Sequence, residues 1–94
     1  MTVAAVMDLG TATEVNGYYV AKDLLNWALA VAGAEGAERV VRLRVRLGDN
    51  PRLTPEDLEF AIRVLTRRTI AEGADVEVRR TGEQGTVLET IVLG

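Results

Sequence analysis

The chain has 94 residues, a formal charge of −3, and neither His nor Cys. A chain of this length makes a single domain over residues 1–94 that buries roughly 60–65% of its unfolded surface and folds without metal or disulfide staples. The missing residue types exclude Ser-His and Cys-His nucleophilic machinery and argue against zinc, nickel or copper sites, and the net acidity argues against nucleic acid as a partner. No apolar run approaches the ~20 residues of a membrane span, and the start lacks the basic region of a secretory signal. A cytoplasmic protein without a membrane partner is expected. Asp and Glu fall mostly in turns, in first helical turns or opposite arginines, so no pair of acids is set up for general acid–base work. The chain is read as a non-enzyme with no cofactor. Lys22 is the one lysine among otherwise arginine cations, a bias that fits either a GC-rich genome or a hot habitat.

Taken in order, residues 2–9 are apolar on both parities, with Val3, Ala5, Met7 and Leu9 against Ala4 and Val6. A strand covered on two sides fits this pattern, as does one edge of a subunit contact. Residues 10–15, Gly10-Thr11-Ala12-Thr13-Glu14-Val15, suit a hairpin or a bent continuation of that strand. Asn16-Gly17 then reads as a helix start with Asn16 as N-cap. The helix is expected to run to about Gly33, with Ala21, Leu24, Leu25, Ala28, Leu29 and Ala32 as its apolar stripe and Trp27 and Val31 at the border. Packing of the Tyr18 and Tyr19 rings against neighbouring structure accounts for both better than a contact site does.

The stretch Gly36-Ala37-Glu38-Arg39-Val40-Val41-Arg42-Leu43-Arg44-Val45-Arg46-Leu47-Gly48 organises the rest. Val41, Leu43, Val45 and Leu47 alternate with Arg42, Arg44 and Arg46, the period of a half-buried strand. One face needs a core. The arginine face meets water, a row of carboxylates or an acidic partner. Past the turn at residues 48–53, Thr54 is an N-cap, Pro55 takes the first helical position, and Glu56 and Asp57 complement the helix dipole. Leu58, Ala61, Ile62 and Leu65 make the buried stripe, Phe60 and Val64 widen it, and Arg67 and Arg68 suit the last turns before Gly73 stops the helix.

Residues 74–80 alternate again, with Val76 and Val78 inward and Asp75, Glu77 and Arg79 outward. Placed beside the central strand, Asp75 and Glu77 ladder with members of the arginine row. Thr81-Gly82-Glu83-Gln84-Gly85 makes a turn, and residues 86–93 form the last strand. It is apolar on both faces, with Val87, Ile91 and Leu93 on one parity and Leu88 and Val92 on the other, unless a bulge at Glu89-Thr90 resets the alternation. Some apolar surface is expected near the C-terminus.

The run from Gly36 to Gly48, the helix start Leu53-Thr54-Pro55-Glu56-Asp57-Leu58-Glu59-Phe60-Ala61 and the block Thr69-Ile70-Ala71-Glu72-Gly73-Ala74 together resemble the HypA family. These are accessory proteins that help insert nickel into [NiFe]-hydrogenase and urease. The match spans roughly residues 16–80 and resumes at 88–93. It implies an α+β fold with two helices packed on one face of a small mixed β-sheet, residues 1–15 being an N-terminal strand-like extension. The family's zinc insertion, with its two Cys-x-x-Cys pairs, would fall between Arg80 and Thr86, where only a short turn remains. The family's nickel site uses an amino-terminal Met-His-Glu, and here Val15-Asn16-Gly17 stands at those positions. Asn16 takes the place of the nickel His, so no metal site is expected, a carboxamide and backbone amides being a poor donor set for a borderline metal.

Three functions fit. The first is an interaction module that has lost both metal sites and binds a maturation factor or a metalloenzyme subunit, with Arg42, Arg44, Arg46, Leu88 and Val92 as candidate contact residues. The second is a nickel-delivery protein whose site is completed by a partner or is non-standard. The third is a homodimer, a higher oligomer or a structural subunit of a larger complex, joined through the strand at residues 2–9.

Overall fold

In the computed structural model, residues 1–8, 17–48, 53–82 and 85–94 are described. They form β1 (Thr2–Asp8), α1 (Gly17–Ala34), β2 (Val40–Leu47), α2 (Pro55–Leu65), β3 (Asp75–Arg80) and β4 (Val87–Leu93). The four strands make one sheet in the order β1-β4-β2-β3. β2 and β3 are parallel, joined through α2, whereas β4 runs antiparallel to both of its neighbours. Both helices lie on one face of this mixed sheet, which is the α+β arrangement expected. The hairpin or bent strand over residues 10–15, the Asn16 cap and the turn residues 49–52 lie outside the described residues.

α1 forms because apolar residues recur at helical spacing over its length. Val20, Ala21, Leu24, Leu25, Ala28 and Ala32 are buried, and Leu29 and Val31 pack at the border of the core. The helix ends one residue past the expected Gly33. Gly36, at φ 67°, adopts the left-handed conformation that lets the Gly36 N–H donate to Gly33 O at 3.1 Å and the Ala37 N–H to Ala32 O at 3.0 Å. This closes the last turn as a Schellman motif and delivers the chain to β2.

At the start of α2 the Asp57 N–H donates to Thr54 Oγ1 at 3.1 Å, and Pro55 sits where no intrahelical N–H is needed. The helix is shorter than its sequence pattern suggests. It stops at Leu65, and Arg67 and Arg68 belong to the turns that follow. Thr66 Oγ1 donates to Arg63 O at 2.7 Å and Thr69 Oγ1 to Thr66 O at 2.6 Å, local bonds that compete with helix propagation. Phe60 and Val64 also depart from expectation. Leu58 and Ile62 are fully buried and Ala61 and Leu65 pack against the core beside them, as expected, while Phe60 is 70% exposed and Val64 points outward beside it.

Leu43, Val45 and Leu47 of β2 enter the core with Val76 of β3 and with Leu88, Ile91 and Leu93 of β4. In β4 the register against β2 slips between Leu88 and Thr90, leaving Glu89 as the extra residue. The bulge puts Leu88 and Ile91, three positions apart, on the same core-facing side. The alternation is reset where the sequence allowed it: Leu88, Ile91 and Leu93 face the core, while Val87 and Val92 stand opposite Arg46 and Arg42 on the other side. A second slip beside Val41 lets Val40 and Leu43 both point inward.

Candidate protein-contact face

The side of the sheet away from the helices carries the arginine row. Parallel pairing sets Arg42 opposite Asp75, Arg44 opposite Glu77 and Arg46 opposite Arg79. Arg42 Nε meets Asp75 Oδ2 at 3.1 Å and Arg44 Nε meets Glu77 Oε2 at 3.6 Å, with all four side chains about half exposed. Arg79 reaches across to the bulge residue Glu89 at 3.6 Å. The carboxylate row is therefore the immediate setting of Arg42 and Arg44, and pairs this exposed contribute a few tenths to ~1 kcal/mol each. Beside the ladder, Thr90 and Val92 of β4 stand opposite Arg44 and Arg42, and Ala4 and Thr2 of β1 complete the row.

Of the candidate contact residues, Arg42, Arg44 and Arg46 share this face with the half-buried Val92. Leu88 does not belong there. It is 0% exposed, because the bulge at Glu89 turns it into the core. Sequence reasoning also missed Glu89 as a partner of Arg79, although the alternative of a bulge at Glu89-Thr90 would have placed that carboxylate on the arginine side. A further miss is Arg80, whose guanidinium donates to the carbonyls of Leu53 and Gly48, the latter at 3.4 Å. The Thr81 N–H adds a bond to Leu47 O at 3.0 Å. Arg80 thus fastens the ends of the β2–α2 connection to the end of β3, and alternation alone could not announce that role.

The positions where the resemblance expects metal chemistry carry different residues. Asn16 lies outside the described residues. Gly17 opens α1, and a Cβ there would stand 3.0 Å from Leu53 Cδ1, so a Glu at this place would crowd the core edge. Where the resemblance places a zinc insertion, the chain has the connection from Thr81 to Thr86, of which Glu83 and Gln84 lie outside the described residues. On its flank the buried Gly48 packs directly on the Gly85 backbone, whose oxygen would be 2.3 Å from a Cβ at Gly48. The donor set does not fit zinc: the whole sequence has no thiol and no imidazole. Among the described residues no group of three or more Asp or Glu could hold a metal ion, and no helix is long and apolar enough to cross a membrane.

No family model matches the chain. The hydrogenase maturation factor HypA of Methanopyrus kandleri is 44% identical over 59 residues, which make up 63% of this chain and 42% of that protein. HypA of Methanocella arvoryzae is 33% identical over 57 residues, 61% of this chain and 50% of its relative. The chain thus spans about half the length of the curated relatives it matches. In fold it is similar to the solution structure of the Ni metallochaperone HypA from Helicobacter pylori, with a TM-score of 0.61, coverage of 83% of this chain and 86% of that one, and 10% identity. The matched stretch is thus similar in sequence to these HypA proteins, and the sheet and helix pair are laid out as in the solved structure.

Proposed function

We propose that this protein serves hydrogenase maturation as a non-catalytic accessory factor that acts by protein contact and holds no nickel ion of its own. One observation carries the reading. A chain 44% identical over its matched stretch to a hydrogenase maturation factor has neither His nor Cys anywhere in its 94 residues. The scaffold is kept while the imidazole and thiolate donors that select nickel and zinc are gone.

The contact face in this reading is the open side of the sheet, where Arg42, Arg44, Arg46 and Val92 stand together. Exchange of the internal carboxylates Asp75 and Glu77 for those of a partner would cost little, since exposed pairs are individually weak. The partner is a second maturation factor or a metalloenzyme subunit in the same aqueous compartment. Copurification from the native host, with identification of the retained chains, tests this directly. A maturation factor or hydrogenase subunit is expected with the parent protein. It should be lost with the triple variant Arg42→Gln, Arg44→Gln, Arg46→Gln, whose stability stays within ~1–2 kcal/mol of the parent. Unchanged recovery by the triple variant would move the contact off this face, and the absence of any maturation component would reject the assignment.

A further inference from the structure

The sheet ends in two unlike edges. At one end β3 reads Asp75-Val76-Glu77-Val78-Arg79-Arg80, a strand so charged that it discourages pairing with a further chain. At the other end β1 carries no charge from Thr2 to Met7, and among the described residues it pairs with β4 alone. An uncharged edge of this kind is a template for another strand. Its pairing with β4 fixes which backbone groups the template offers. The Met1 nitrogen donates to Leu93 O at 2.7 Å and the Leu93 N–H donates to Met1 O at 2.6 Å, so these two residues form a hydrogen-bonded antiparallel pair. Bonded and non-bonded pairs alternate along such a ladder. Thr2 opposite Val92 and Ala4 opposite Thr90 are therefore non-bonded pairs, and their N–H and C=O groups point away from β4. Both residues are exposed, and the register slips only after Ala4.

Those outward groups select the occupant. Donors and acceptors spaced along extended backbone take a strand, and a second β1 laid antiparallel about a two-fold axis at Val3 satisfies all of them. Thr2 of each copy then exchanges both of its bonds with Ala4 of the other, which is the self-matching that an isologous contact requires. The Val3 side chain packs against the core and is only half-buried in one copy. Across the axis the two Val3 side chains meet and bury one another further, with no charged side chain among the paired residues. We propose that this chain forms a two-fold homodimer in which two β1 strands pair edge to edge at Thr2, Val3 and Ala4, joining the sheets of both copies into one. The contact uses the sheet edge rather than the arginine face and does not depend on the maturation reading. So short a pairing belongs to the small class of interface, and the association is reversible.

Sedimentation velocity of the full chain from ~10 μM to ~1 mM, the range suited to a contact of this size, gives the first test. The weight-average mass is expected to rise from that of one chain toward two. Ala4→Pro removes an outward N–H and no bond to β4, so the chain should keep its circular dichroism spectrum while association weakens ~10-fold or more. The natural absence of cysteine allows a second test that does not rely on the proline variant folding. In a non-bonded antiparallel pair the Cα atoms are about 4.5 Å apart, within disulfide reach. Val3→Cys should therefore cross-link to its own copy under mild oxidation, whereas Glu77→Cys on β3 should stay largely monomeric. A parent chain that remains monomeric at ~1 mM would overturn the proposal. So would a dimer that a folded Ala4→Pro variant leaves intact, or cross-linking of Val3→Cys no faster than that of Glu77→Cys.

Discussion

On the helix side of the sheet Leu43, Val45, Leu88 and Ile91 are sealed from solvent, whereas on the other side Arg42 and Arg44 with their partners Asp75 and Glu77 stay about half exposed. The same strands supply both sets, since successive residues point to opposite faces. The helix side holds the fold by burial, at ~25 cal/mol per Å² of apolar area removed from water. The arginine side adds little, because its ions remain hydrated whether or not they pair. A face that contributes weakly to folding is open to change for contact, which suits the role proposed for it.

The comparison breaks most sharply at Leu88. Leu88→Ala should destabilise the protein by about 2–5 kcal/mol in urea unfolding, the range for a fully buried leucine. A loss below ~1 kcal/mol would place Leu88 outside the core. Gly48→Ala comes next, since its Cβ would collide with the backbone of Gly85 rather than with a pliable side chain. A loss of at least ~2 kcal/mol is expected by the same measurement. Thr54→Ala removes the cap that starts α2 and should cost about 1 kcal/mol, with Thr54→Asp close to neutral. On the arginine side the effects shrink. A double-mutant cycle between Arg44→Gln and Glu77→Gln should give a coupling of a few tenths of a kcal/mol that falls further at high salt.

The pairing of β2 with β3, whose register is unbroken, was the legible part. In β2 the alternation from Arg42 to Leu47 announced the two faces, whereas Val41, expected on the core side, is the extra residue of a slip against β4 and only half-buried, Val40 taking its place in the core. Asp75 and Glu77 were expected opposite arginines and are found there. The cap of α2 was also legible, Thr54 by its hydroxyl, whereas the turn that closes α1 at Gly36, by its freedom at positive φ, was not anticipated. Phe60 and Val64 were misjudged because helical spacing marks apolar residues without saying how wide the supporting sheet is, and the stripe that meets the core is Leu58, Ala61, Ile62 and Leu65. The length of α2 was overestimated because Thr66 and Thr69 bond to nearby carbonyls, a competition that helix propensity does not register. Leu88 was misplaced because a bulge shifts every later side chain by one face, and two readings of β4 fit the letters equally well. The contact role proposed for Arg42, Arg44, Arg46 and Val92 rests on their shared place on the open face, which the strand order β1-β4-β2-β3 brings together.

The proposed function has a HypA-like scaffold work without gripping the metal itself. Calorimetric titration of the untagged protein with nickel at neutral pH addresses this most directly. Heats no larger than those of dilution, with no saturation at one equivalent, are expected of a chain lacking imidazole and thiolate donors. A saturating one-to-one isotherm with a micromolar or tighter dissociation constant would contradict it.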